Sequence, residues 1–287
     1  MEMPEPNADP TSSIPAVTPD RAEGGNIVEK TPLSLKAAAE LRRVTGRSVE
    51  TYTAYGVTQR LFKECAKQAS YNIPQAGQSG VEVPTTADGE DLGVGSGWWH
   101  EGLSNHMFTH SRTDSSAELG LKPTFSTWSQ VTMLHMYFLA IRFRCLPEEQ
   151  SQPWQQHLLD HFFYDAEDRM TLQHNIVARM TRNGYLKDLF TQWRGLLAAY
   201  DEGLMKGDAV LAAAVWRNLF KAQQDVDLKK VALVVAYMRS MAKAMESLPN
   251  EAVETGQVAF QDPKAQLKLV ESRSQMMDVP IQEEVRA

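Results

Sequence analysis

The stretch Tyr185–Leu204, YLKDLFTQWRGLLAAYDEGL, decides the fold. Its large apolar side chains Tyr185, Leu189, Trp193, Leu196, Tyr200 and Leu204 recur every three or four residues, the period at which an α-helix returns to one face. Downstream, Gly207-Asp208 supplies a break and an N-cap for a helix over 209–220, with Leu211, Val215 and Leu219 inward. Asp225 or Asp227 caps a last long helix, Leu228–Leu248, carrying Val231, Val234, Val235, Met238, Met241 and Met245. Upstream, the pattern predicts a helix through Met170, Ile176, Val177 and Met180, closed by Asn183-Gly184. Pro153, at a first helical position, starts another, with Trp154, His157, Leu158, His161 and Phe162 at helical spacing. Thr124 opens one that runs to about Arg144. There Trp128, Val131, His135, Phe138 and Arg142 share a face that Leu134, Ile141 and Cys145 widen, as in a central, buried helix. Between Pro153 and Pro249 there is no proline and there are only four glycines. Stacked helices permit that; a turn-rich β fold does not.

Outside this block the signals change. Residues 1–32 hold six of the fourteen prolines and six acidic against two basic side chains, so a disordered tail is expected there. Residues 33–74 predict N-terminal helices. A short amphipathic set at Leu33, Leu35, Ala38 and Leu41 is broken at Thr45-Gly46. Ser48 then caps a helix with Tyr52, Tyr55, Leu61, Phe62, Cys65 and Ala69 near one face. Residues 75–119 read as an irregular Gly-rich loop, in which Trp98-Trp99 suggests a part docked on the surface. Residues 264–287 predict one weak helix and a tail. The expectation is an all-α chain: a single helical-bundle domain over 120–263, with a disordered N-terminal tail and a long irregular loop.

Composition narrows the function classes. With 29 Lys+Arg against 36 Asp+Glu the net charge is −7, which argues against a general polyanion binder, and no DNA partner is expected. No run reaches the roughly 18 apolar residues that span a bilayer. Two cysteines, Cys65 and Cys145, cannot build a disulfide framework. His157 and His161 have the i, i+4 spacing of a metal pair, with Asp160, Asp165 and His174 near in sequence, yet they lie on the apolar side beside Trp154 and Phe162. Trp99-His100-Glu101 begins like a zinc-protease motif, but Ser104 stands where the second histidine belongs. Gly93-Val-Gly-Ser-Gly97 lacks the ending of a nucleotide loop. No assembled nucleophile or acid–base pair is visible. No catalytic, metal or cofactor site is assigned. The ladder Met238, Met241 and Met245 suits either core packing or a surface that accepts varied apolar partners.

Several segments resemble the ubiquinol–cytochrome c chaperone family, in particular its fungal branch. They are Arg42-Arg-Val-Thr-Gly46, Glu50-Thr-Tyr-Thr-Ala-Tyr-Gly56, Tyr71-Asn-Ile-Pro74, Thr124-Phe-Ser-Thr-Trp128, Leu134-His135, Ile141-Arg-Phe-Arg144 and Asp160-His-Phe-Phe163. The most specific are Ala199-Tyr-Asp-Glu-Gly-Leu204 and Ala214-Val-Trp-Arg-Asn-Leu-Phe220. The resemblance implies an all-helical, non-enzymatic assembly factor for mitochondrial respiratory complex III. Such a factor receives newly made cytochrome b with a small partner protein at the mitochondrial ribosome, and is peripheral to the matrix side of the inner membrane. It marks Trp128, His135, Asp165, Arg169, Tyr200, Asp201, Asp208, Trp216, Arg217 and Asn218 as motif positions. It raises the Met238–Met245 ladder as a client or partner surface. It also raises Arg42, Arg43, Arg47, Arg142 and Arg144 as contacts to ribosomal phosphate, although solvated helix ends are the favoured reading of those cations. Two features depart from the family. Tyr137 stands where fungal relatives often have Trp, and the N-terminus lacks the Arg-rich, acid-poor character of a presequence. Two other functions stay open: a general helical adaptor for a partner helix or ribosome, and a metal-dependent hydrolase using His157 and His161.

Overall fold

In the computed structural model, which describes residues 52–78, 80–95, 98–100 and 119–272, residues 127–140 are buried without interruption. The elements in order are α1 (residues 52–66), β1 (Tyr71–Asn72), β2 (Val94–Gly95), α2 (Phe125–Phe143), α3 (Glu148–Leu172), α4 (Arg179–Lys206), α5 (Asp208–Leu219), α6 (Leu228–Glu246) and α7 (Asn250–Glu254). A 3-10 turn, Pro263–Gln266, leads into α8 (Leu267–Glu271). The fold is all-α. Its one named sheet among the described residues is the antiparallel pair β1–β2, with Tyr71 opposite Gly95 and Asn72 opposite Val94.

Helix α2 is the axis because it is buried on nearly every side. Thr124 caps it, accepting the Thr127 amide at 3.3 Å. Helix α3 runs back along it: Phe143 meets Trp154 edge-on at 5.4 Å, and Trp128 stacks on Phe162 at 5.7 Å. Helix α4 buries Leu189, Trp193, Leu196, Tyr200 and Gly203. A Cβ on Gly203 would lie 2.6 Å from the Leu211 Cα, so only glycine lets α4 and α5 cross this closely. Helix α6 closes the core with Val231, Val234, Tyr237, Met238, Met241 and Met245.

Several element boundaries differ from the sequence reading. Pro153 lies inside α3, which begins at Glu148 with Pro147 as N-cap and Glu148 and Glu149 in its first turn. Pro153 and Glu149 are both exposed, so water can satisfy the carbonyl that a proline leaves free. The helix expected through Met170 and Met180 does not exist as a unit. Helix α3 stops at Leu172, and α4 continues straight through Asn183-Gly184, where a side chain at Gly184 would meet nothing. The break falls at 173–178 instead, where Asn175 adopts φ 51°. Asp208 is the first residue of α5 rather than its cap; Gly207, at φ 117°, takes the cap position. Asp227 caps α6 through the Lys229 amide. On α1, Tyr52 and Tyr55 face outward, and the buried stripe runs through Ala54, Val57, Leu61, Phe62 and Cys65. Ser48 and the proposed helix before it lie outside the described residues, as do the tail over 1–32 and the last residues of the chain.

Trp98 and Trp99 of the Gly-rich stretch are part of the core. Trp99 is buried edge-on against His135 at 5.3 Å and Tyr237 at 5.8 Å, and Trp98 packs on Trp99 at 5.1 Å. Backbone bonds from Leu119 to Trp98 and from Leu121 to Trp99 stitch this segment to the entry of α2.

Candidate functional site

The motif residues form two polar knots, one buried and one half-buried. In the first, His135 donates from Nδ1 to the Val131 carbonyl at 2.7 Å and accepts the Tyr237 hydroxyl on Nε2 at 2.9 Å. Burial lowers its pKa to about 4, so the ring is neutral, with both nitrogens satisfied and Phe260 and Phe138 against its faces and edges. In the second, the Arg169 guanidinium lies 4.3 Å over the Trp128 ring and pairs with Asp165 at 3.1 Å. Of the remaining motif residues, Asp201 and Asp208 tie helices together. Tyr137 donates to Asp201 at 3.0 Å, and Arg144 pairs with the same carboxylate at 2.9 Å. Tyr137 is itself buried in the core. Asp208 holds Arg239 at 2.7 Å, the Trp216 indole donates to the Gln223 carbonyl at 2.6 Å, and Asn218 donates to Ala214 at 3.0 Å. Tyr200 is buried, and Arg217 is exposed.

The methionine ladder and Arg142 do not present themselves as surfaces. Met238, Met241 and Met245 are core residues, because α2 and the segment around Phe260 cover that face of α6. Arg142 is buried too. It donates to the Leu248 carbonyl at 2.8 Å and to Asn250, closing the C-terminal end of α6, where a cation complements the helix dipole. It is not placed to touch a phosphate. Substituting Arg142 with Met should cost about 2–3 kcal/mol, the value of bonds from a charged donor to a buried carbonyl, measured as a shift in the urea midpoint. Arg144 stays at the surface, paired with Asp201; Arg42, Arg43 and Arg47 lie outside the described residues. His157 and His161 both pack against the Tyr55 ring. His161 Nε2 donates to the Tyr55 carbonyl at 3.1 Å, His157 packs edge-on against the Tyr55 ring at 5.5 Å, and among the described residues no three His, Cys, Asp or Glu side chains surround a common point. This donor geometry does not fit the hydrolase alternative.

What the fold leaves open is apolar surface. Helices α3 and α4 sit side by side on α2, and small Ala140 floors a groove of about 570 Å³ between them, walled by Pro153, Leu159, Trp193 and Leu197 and rimmed by Gln152 and Gln156. Phe163 and Phe190 meet farther along the same seam at 6.3 Å. On α3 the groove runs from Gln152 to Leu159, about 10 Å at 1.5 Å per helical residue. A second groove, about 540 Å³, runs between α1 and α3 past Tyr55, Tyr164 and Asp168.

Periodicity could not have identified Tyr237, Trp99, Tyr71, Asp91 or Arg182 as partners. His174 bridges Tyr71 at 2.6 Å and Asp91 at 2.7 Å, across sequence separations of about a hundred residues that no local pattern records.

The matches to known proteins fall on the helical block. A sequence profile described as ubiquinol-cytochrome C chaperone covers residues 117–260. Protein CBP3, mitochondrial, of Saccharomyces cerevisiae is 38% identical over 146 residues, 51% of this chain and 44% of that protein. The ubiquinol-cytochrome c reductase complex assembly factor 1 of Drosophila melanogaster is 30% identical over 137 residues, 47% of this chain and 52% of that one. The chain thus spans about half the length of these relatives. A crystal structure described as the Cbp3 homolog from Brucella abortus aligns with a TM-score of 0.49 at 16% identity, over 78% of this chain and 97% of that one. The profile covers the whole of helices α2 to α7, including both polar knots, and on that ground the chain belongs to the ubiquinol-cytochrome C chaperone family.

Proposed function

We propose that this chain is a non-enzymatic assembly chaperone for mitochondrial respiratory complex III. It receives newly made cytochrome b together with a small partner protein and the mitochondrial ribosome, and works on the matrix side of the inner membrane. The observation that carries this reading is the family match across α2 to α7. The α3–α4 groove supports it physically. Cytochrome b is a client of membrane-spanning helices, and the Leu158, Leu159, Trp193 and Leu197 lining of the groove offers apolar contact to about two turns of such a helix. The groove lies wholly within the matched segment, whereas the α1–α3 groove draws on residues before it.

Loss of the gene should lower assembled complex III before the other respiratory complexes, and the tagged protein should recover cytochrome b. Leu159→Asp with Leu197→Asp, both half-buried on the groove walls, should cut that recovery about tenfold or more, since each forfeits the burial of one leucine. Unchanged complex III in the deletion strain would refute the assembly role. Recovery of an unrelated set of proteins, without cytochrome b, would favour the general helical adaptor.

A further inference from the structure

The corner between α3 and α4 holds apolar side chains in water and fixes them there. Leu172, Val177 and Met180 are 73%, 69% and 89% exposed. They do not project from a loose loop. Arg182 donates to the carbonyls of Ile176 at 3.0 Å and Val177 at 2.6 Å and pairs with Glu167, while His174 is held by Asp91 and Tyr71. This set of bonds organises the link but leaves the side chains of Leu172, Val177 and Met180 exposed among the described residues. Met180 and Lys187, seven residues apart, share one face of α4. Arg179 adjoins Met180, and neither cation has an ion-pair partner among the described residues, in contrast to Arg182. Protruding aliphatic side chains beside two cations with no ion-pair partner among the described residues fit an anionic, apolar-cored surface.

We infer that the α3–α4 corner is the point at which this protein docks on an anionic lipid bilayer, with Met180, Val177 and Leu172 entering the headgroup–acyl boundary and Arg179 and Lys187 meeting lipid phosphate. This deepens the assembly reading, and rests on it for the presence of a membrane. The full chain is tested by flotation with vesicles of phosphatidylcholine alone and of phosphatidylcholine with phosphatidylglycerol. Wild type should float with the mixed vesicles and fall off as salt rises. Met180→Asp, and separately Arg179→Glu with Lys187→Glu, should each lower binding about tenfold or more, with unfolding midpoints unchanged because all three side chains are exposed. Equal binding to uncharged vesicles, no binding at all, or variants that float like wild type would each overturn the lipid contact. The assembly reading fails separately: it falls if complex III is normal in the deletion strain, whatever the vesicles report.

Discussion

Replacing Trp99 with alanine is expected to destabilise the protein by about 3–5 kcal/mol, the range for removing a buried large aromatic. The residue lies in a stretch whose composition suggests a surface loop, yet its ring is buried and wedged edge-on between Trp98, His135 and Tyr237. Deleting it would leave a cavity against the central helix and loosen the packing that keeps the Tyr237 hydroxyl on His135. Chemical denaturation, with the midpoint displaced and the slope retained, is the measurement. A loss below about 1 kcal/mol would mean that the segment only covers a core complete without it.

A second large effect should appear on acidification. The folded-state pKa of His135 lies at about 4, below the usual 6.5, because burial penalises the imidazolium. The unfolded chain therefore binds a proton that the folded chain refuses. Stability is intact above pH 6.5 and declines as pH falls toward 4. At pH 5 this one group removes about 2 kcal/mol. Burial lowers His100 and His161 in the same direction, so the total dependence in this window is steeper than a single proton. His135→Gln should flatten the slope between pH 7 and pH 5 by about one proton, although it also weakens the fold at neutral pH by giving up the tyrosine bond. An unaltered slope in that variant would show that His135 is not the refusing group.

Legibility in the sequence followed the range of each interaction. Apolar residues three and four apart revealed α2, the paired faces of α4 and α5, and α6, because helical periodicity is local. The cap at Thr124 was visible for the same reason. The α3–α4 break was misplaced: Asn183-Gly184 carries the usual signal of a helix end, but the actual turn is set by Asn175 and by His174, whose partners Tyr71 and Asp91 are remote in the chain. The methionine ladder illustrates a different gap. Its spacing shows that Met238, Met241 and Met245 share a face, but not whether another element covers that face.

The sequence by itself determined that this protein is a stack of helices around an apolar central one, and its motif residues placed it in a family, since both depend on the order of side chains along the chain. Only the tertiary structure decided which apolar surfaces are free. It buried the methionine ladder, Arg142 and Trp99, and it left the α3–α4 groove and corner in water. Exposure depends on which elements pack together, and that pairing is made by contacts between residues far apart in the chain.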